Sequence, residues 1–270
     1  MITTSAPVLD QPDLLYTDMI RINAELFAGK AAVICGEERL SWHDFHLRTN
    51  QVANLLLDLG LQRNDKVCLV MDSSVLMFEL LWGVVKVGGV VVPLNIMMND
   101  ASLATTINDC RAQLLIASAP MVPKVADIES TLEHVRESGR FTDGSADGHW
   151  QNIRPLIDQQ PATDPPVQLS HSDSMNIIYS SGSTGTPKGI EHSHFARHIY
   201  SLGFGPGLKM DRFSRPVCTT PLYTNGTWIT MLPAVYWGAT TILMTGFSAE
   251  AFFQCVERER ATHVFMVPTQ

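Results

Sequence analysis

The sequence predicts an α/β fold made of two consecutive, mostly parallel α/β sets. Three observations predict it. Helix-period runs alternate with short β-rich runs between residues 31 and 138, the alternation resumes between 175 and 267, and a stretch rich in Gly and Pro separates the two. Strands linked through helices must pair in parallel through crossovers, which are right-handed in such units. The expected division is a first subdomain over 1–172, ending in a linker over about 139–172, and a second over 173–270 that stops incomplete.

The first set is justified element by element. Residues 31–35 and 39–41 flank a Gly-Glu-Glu turn and predict a hairpin. Ser41 and Asp44 form a capping-box pair ahead of Phe45, Val52, Leu55, Leu56 and Leu59, which recur at helical spacing until Gly60. A strand is expected at 66–71, a helix at 75–87 and a strand at 90–93 after Gly88-Gly89. A helix at 100–110, a strand at 114–117 and a helix over 121–138 follow. In 139–172 the pattern dissolves, with Pro155, Pro161, Pro165 and Pro166 punctuating it. Beyond it come strands at 175–179, 217–220, 240–244 and 263–267, and helices from about 193, at 227–237 and at 249–260.

Bulk properties exclude several classes. At 270 residues with 45% hydrophobic and 17% charged content, the chain has the composition of a globular protein with a large core. A net charge of −8 argues against nucleic acid as partner, because a phosphate backbone requires clustered Lys and Arg. The five cysteines have no close pair, so neither a disulfide framework nor a zinc ribbon is indicated, and a reducing, cytoplasmic setting is the simpler expectation. Residues 75–94 are the most apolar stretch. They carry Glu79, Lys86, three glycines and Pro93, which suits a buried helix and strand rather than a membrane span.

The chemistry is carried by residues 175–189, MNIIYSSGSTGTPKG, where an apolar strand runs into a loop. Gly182 and Gly185 let backbone N–H groups converge on an anion, and Ser180, Ser181, Ser183, Thr184 and Thr186 add hydroxyls. Lys188, after Pro187, supplies a mobile positive charge. These are the parts needed to hold a triphosphate while charge moves onto a leaving pyrophosphate. A Walker A loop is excluded, because it needs Gly-Lys followed by Ser or Thr, whereas Pro187 precedes Lys188 and Gly189 follows it.

Residues 179–189 resemble the signature of the adenylate-forming superfamily, which includes acyl-CoA synthetases, luciferases and peptide-synthetase adenylation domains. The pattern Tyr-[Ser/Thr]-Ser-Gly-[Ser/Thr]-Thr-Gly-x-Pro-Lys-Gly is met at every position. LSWHDFHLRTNQVANLLLDLGLQRNDKVCLVMDSS and LLWGVVKVGGVVVPLN also look like the family's opening elements, and TPLYTNGTWITMLPAVYWGATTILM looks like the segment lining its acyl pocket. Many members have His two residues after the Leu of that Pro-Leu pair, where this chain has Thr224.

The resemblance implies the N-terminal part of an ATP-dependent carboxylate–CoA ligase. Such an enzyme joins a small carboxylic acid to the α-phosphate of ATP and passes the acyl group to coenzyme A. Lys188 and Thr184 would be catalytic and residues 180–188 would bind the nucleotide with Mg²⁺. Tyr223, Thr224, Asn225, Thr227 and Trp228 would neighbour the acid or begin a packed helix. A peptide-synthetase adenylation fragment and a non-catalytic nucleotide- or partner-binding remnant are the alternatives. The family's later elements, an aromatic-Gly-Thr-Glu segment, a ribose-binding Asp, a hinge and a late lysine, do not occur before Gln270, so a C-terminal half is expected as the missing partner.

Other constellations carry less. His194 and His198 have i, i+4 metal-ligand spacing without an evident third ligand, and with Glu191 and His192 are assigned to a helix start and solvent contact; no metal site is expected of them. Asp173 is expected to cap. GFGPG at 203–207 is expected to be a helix-ending turn. No Gly-x-Ser-x-Gly elbow occurs. The expected outcome for residues 1–270 alone is no carboxylate-dependent exchange between ATP and pyrophosphate; radiolabel exchange with any acid overturns that expectation.

Overall fold

The computed structural model describes residues 14–145, 148–180 and 187–270. The chain begins with α1 (Tyr16–Leu26) and the hairpin β1 (Ala31–Cys35) and β2 (Glu38–Ser41), turned at Gly36. There follow α2 (Trp42–Asp58), β3 (Lys66–Val70), α3 (Val75–Lys86), β4 (Val90–Pro93), α4 (Asp100–Asp109) and β5 (Ala112–Ala117). Next come α5 (Val122–Ala126), β6 (Arg140–Thr142), β7 (Gln151–Asn152) and α6 (Ile153–Asp158). β8 (Ser174–Ser180), β9 (Lys188–Ser193), α7 (His194–Gly207), β10 (Pro216–Cys218), α8 (Asn225–Tyr236), β11 (Thr241–Leu243), α9 (Ala249–Glu259) and β12 (His263–Phe265) complete it.

Ser41 starts α2 as expected, its hydroxyl accepting from the Asp44 amide at 3.0 Å. Three expectations are corrected. The helix expected over 121–138 is a short α5 between single turns at Ala119–Met121 and Glu129–Thr131, because Pro120 and Pro123 suit only a helix start. Residues 139–172, read as patternless, contain β6, β7 and α6. The glycine-rich loop leads into a strand, β9, before the helix. GFGPG ends α7 as its last turn, as expected.

Two sheets result. One has seven strands in the order β7-β6-β5-β3-β4-β8-β9, parallel except for β8 with β9. The other has five, in the order β12-β10-β11-β1-β2, parallel except for β1 with β2. Each sheet takes strands from both sides of residue 172.

The helices α1, α2, α3 and α8 share one core with strands of both sheets. Ile20, Phe45, Leu56, Trp82 and Met231 pack there with Val33 of the five-stranded sheet and Leu69 and Val91 of the seven-stranded one. Every residue of α3 is buried, which explains a helix apolar on all faces. The opposite face of the larger sheet, through Cys68, Val70, Val92 and Leu115, packs on Leu103 and Ile107 of α4. The opposite face of the smaller one, through Ile34, Val217 and Ile242, packs on Cys255 and Phe252 of α9.

The buried carboxylate of this core is paired, while buried Lys86 meets neutral partners, Asn50 Oδ1 at 2.5 Å and the His46 carbonyl at 3.3 Å. Glu79 on α3 receives Arg48 of α2 at 3.2 and 3.3 Å, and Arg48 also reaches Asp158 at 2.6 Å. The Pro-rich segment is fastened to α2 by side-chain amides. Asn54 donates to the carbonyls of Pro161 at 2.7 Å and Thr163 at 2.9 Å, and Asn50 to that of Ala162 at 2.9 Å. Among the described residues no helix is long and apolar enough to cross a membrane.

α2 and α3 pack tightly at Gly83, where an added Cβ would lie 2.2 Å from Val52 Cγ1. Gly83→Ala is therefore expected to lower stability by ~1–3 kcal/mol, as overpacking does. Gly203→Ala, at an exposed position of α7, meets nothing within 4 Å and should be neutral or stabilising by up to ~1 kcal/mol. Urea unfolding of the two variants checks the contrast.

Candidate active site

β8 reaches the site as a strand buried through its middle and half-exposed at Tyr179, with Ser180 exposed. It pairs with β9 in the register Tyr179↔Gly189 and Ser180↔Lys188. The predicted nucleotide loop is thus the connection of an antiparallel hairpin, and its two flanks, Ser180 and Lys188, stand opposite each other at the mouth. Ser181, Gly182, Ser183, Thr184, Gly185 and Thr186 lie outside the described residues. Pro187 is half-buried, and Lys188 is exposed.

Two residues of the signature have structural explanations. The Tyr179 hydroxyl donates to Asp109 Oδ2 at 2.5 Å, tying β8 to the end of α4. Burial and that carboxylate push the phenol well above its ordinary pKa. Across the ladder the Tyr179 ring covers Gly189, where a Cβ would lie 2.9 Å from Tyr179 Cζ and 3.1 Å from Ile177 Cγ2. Gly189 is glycine because no side chain fits beneath that ring.

β9 runs into α7, capped by Ser193 accepting from the Ala196 amide at 3.2 Å. His194, expected to face solvent, is instead 1% exposed. Among the described residues it has no hydrogen-bond partner at either ring nitrogen, and burial lowers its pKa to about 4. His192 is likewise lowered to about 4, by burial and then by Arg197. His198 packs edge-on against Tyr236. Asp173 accepts from the Ser170 amide at 2.8 Å and from Arg63, and its carbonyl accepts from the His194 amide, so it pins the entrance of β8 to that of α7. Among the described residues no group of three or more His, Cys, Asp or Glu forms a metal cage.

The segment around the start of α8 divides in two. Thr227 and Trp228 are buried: the Thr227 hydroxyl meets Thr220 Oγ1 at 2.7 Å, and Trp228 Nε1 donates to the Leu222 carbonyl at 2.8 Å. Tyr223, Thr224 and Asn225 are half-buried. Burial, then Asp72, raises the Tyr223 pKa. Gly226 sits against Phe265, whose Cε1 is 2.2 Å from where a Cβ would be.

Sequence reading missed Asn176 and Arg197. Arg197 on α7 is fully buried; its Nε donates to Asn176 Oδ1 at 2.8 Å and its Nη1 to Asn225 Oδ1 at 2.9 Å. It links the strand before the loop to the start of α8. The available signals were an Asn interrupting the apolar run MNIIY and an Arg among the aromatics of HFARHIY.

The family model described as AMP-binding enzyme matches residues 20–270, and the chain belongs to that family. It is of the adenylate-forming, acyl-CoA synthetase type that residues 179–189 resemble. It is 26% identical over 223 residues to long-chain-fatty-acid–CoA ligase FadD13 of Mycobacterium tuberculosis, covering 82% of this chain and 43% of that protein. It is 28% identical over 270 residues to crotonobetaine/carnitine–CoA ligase of Citrobacter koseri, covering 91% of this chain and 49% of that one. Among solved structures, the anthranilate CoA ligase AuaEII in complex with anthranoyl-AMP superposes with a TM-score of 0.87 at 25% identity, covering 93% of this chain and 49% of that chain. The chain spans about half the length of the curated relatives it matches.

The buried neutral histidine gives a pH dependence with a definite sign. His194 titrates near 6.5 unfolded and near 4 folded, so the unfolded chain binds more protons between those values. The stabilisation is complete above about 6.5 and is lost as pH falls toward about 4, on the order of 3 kcal/mol in all. Urea midpoints measured from pH 7 to 4 should fall less steeply in His194→Leu than in the parent chain.

Proposed function

We propose that this chain supplies the nucleotide-phosphate-binding part of an ATP-dependent carboxylate–CoA ligase. One observation supports this above the others. The SSGSTGTPKG loop springs from a hairpin whose last ladder pair sets Lys188 opposite Ser180, in a chain of the AMP-binding enzyme family. The reaction proposed is attack of a carboxylate on the α-phosphorus of ATP with loss of pyrophosphate, followed by acyl transfer to coenzyme A.

Within this reading the chain's own residues bind and orient. Lys188, on a strand end fixed by the ladder, offers its ammonium to the departing phosphates. The loop amides and the hydroxyls of Ser180, Ser181, Ser183, Thr184 and Thr186 add donors around them. The Tyr179–Asp109 bond and the close packing of Gly189 keep both loop flanks from drifting, so that charge meets preorganised donors. Mg²⁺ fits as an ion arriving on ATP, because it takes phosphate and water oxygens and needs no protein cage; bound there it screens the triphosphate. Tyr223, Thr224 and Asn225, half-buried at the start of α8, are the proposed neighbours of the acid.

CoA-ligase activity is carried by the names of the relatives, and the complex of AuaEII contains an acyl-adenylate, anthranoyl-AMP. These favour a CoA ligase over a peptide-synthetase module. A cytoplasmic location belongs to the same proposal: all five cysteines are free thiols, as in a reducing compartment.

Lys188→Ala should weaken Mg-ATP binding by about tenfold, the loss of one charge-assisted contact, while urea stability stays within ~0.5 kcal/mol because the side chain is exposed. Calorimetric titration of parent and variant measures both affinities. Equal affinities would remove the loop from the nucleotide site.

A further inference from the structure

Arg197 is a large buried polar group that the proposed reaction does not use. Its guanidinium is fully buried where β8, α7 and α8 meet. Trp228 and Tyr200 stack on it, with ring centroids 4.5 and 5.0 Å from its central carbon, which fixes its plane. Burial lowers its pKa only to about 10, so it is charged at neutral pH. Both acceptors it meets, Asn176 Oδ1 and Asn225 Oδ1, are neutral amides.

What it lacks is an anion. Among the described residues no carboxylate pairs with it, whereas buried Glu79 and Glu259 receive arginines. Among the described residues its buried Nη2 has no acceptor, and the bonded Asn176 has an orphaned buried donor of its own, Nδ2. A buried charge in this condition costs stability unless an opposite charge answers it. A water would accept a hydrogen bond and leave the charge. A carboxylate would do both, since it is acceptor-only and matches the guanidinium fork.

The position says where that carboxylate comes from. Asn225, half-buried, opens α8 beside Tyr223 and Thr224, the proposed neighbours of the acid. Resting on that proposed function, we propose that Arg197, with Asn225, is a specificity-determining residue that binds a second carboxylate of the acid substrate, so that the ligase takes dicarboxylic acids. The carboxylate held there is not the reacting one. A full guanidinium charge on the attacking oxygens would hold electron density that must move to phosphorus. The distal group is bound at Arg197 while the proximal one reaches the nucleotide.

The test uses residues 1–270 with Mg²⁺ and α,β-methylene-ATP in calorimetric titrations. Dicarboxylates from succinate to suberate are compared with monocarboxylates of the same chain length, and with 4-(trimethylammonio)butanoate. The expected result is that at least one dicarboxylate binds about tenfold or more tightly than its monocarboxylate counterpart, and that the trimethylammonium acid does not compete with it. Arg197→Met should abolish the preference without lowering the melting temperature, since it removes an unanswered charge. Asn225→Asp should abolish it too, by supplying the missing carboxylate from the protein, and should raise the melting temperature; it decides the matter if Arg197→Met fails to fold. Analogue binding without any dicarboxylate preference, or a preference that survives in Asn225→Asp, overturns the inference and leaves the proposed function standing. Failure of the analogue to bind overturns both.

Discussion

The placement of β8 is the constraint on which the rest of the site depends. It is held by β4 along one edge and β9 along the other. Met175 and Ile178 enter the core shared by the two sheets, while Ile177 packs with the outer one. A strand gripped on both edges and both faces has little freedom to slide, because a shift by one residue would send its apolar side chains to the wrong layers. That register puts Ser180 opposite Lys188 and Tyr179 over Gly189. The proposed phosphate-binding loop therefore springs from a rigid base, which is what a site that must meet moving charge requires.

The molecule answers its buried charges in two ways. Glu259, at the end of α9, takes Arg39 of β2, Arg215 and its neighbour Arg258, and the pairing, led by Arg39, holds its pKa down to about 2. Glu79 is answered across the α2–α3 contact. These pairs sew elements together where the fold needs them. Arg197 sits in an equally dry place with neutral partners. Lys86 is buried with neutral partners too, but burial lowers its pKa to about 7 and lets it shed its charge, whereas Arg197 keeps its own. A cation held charged and open spends stability at one point, and such points mark binding sites more often than packing faults.

Legibility differed by element for physical reasons. α2, α3 and α8 were readable because their apolar residues recur at helical spacing or fill every face, and the β1–β2 hairpin because Gly36 supplies its turn at positive φ. β9 was not: KGIEHS is exposed along most of its length, so its sequence has no buried face to reveal an alternation, and only pairing with β8 makes it a strand. β6 and β7 are too short to show a period. The burial of His194 was hidden because a histidine at a helix start reads as solvated until the turn at Ser170–Asp173 is known to be bonded to that helix start.

By itself the sequence determined the α/β class, the order of most elements and the family, since these depend on local periodicity and on the contiguous run from Tyr179 to Gly189. Only the tertiary structure decided which sheet each strand joined, because strands on either side of residue 172 interleave and sequence order carries no record of that. It also decided that Arg197, Asn176 and Asn225 meet. They lie 21 and 28 positions apart from the arginine in the chain, and no local pattern tells a buried cation lacking an anion from an ordinary arginine on a helix.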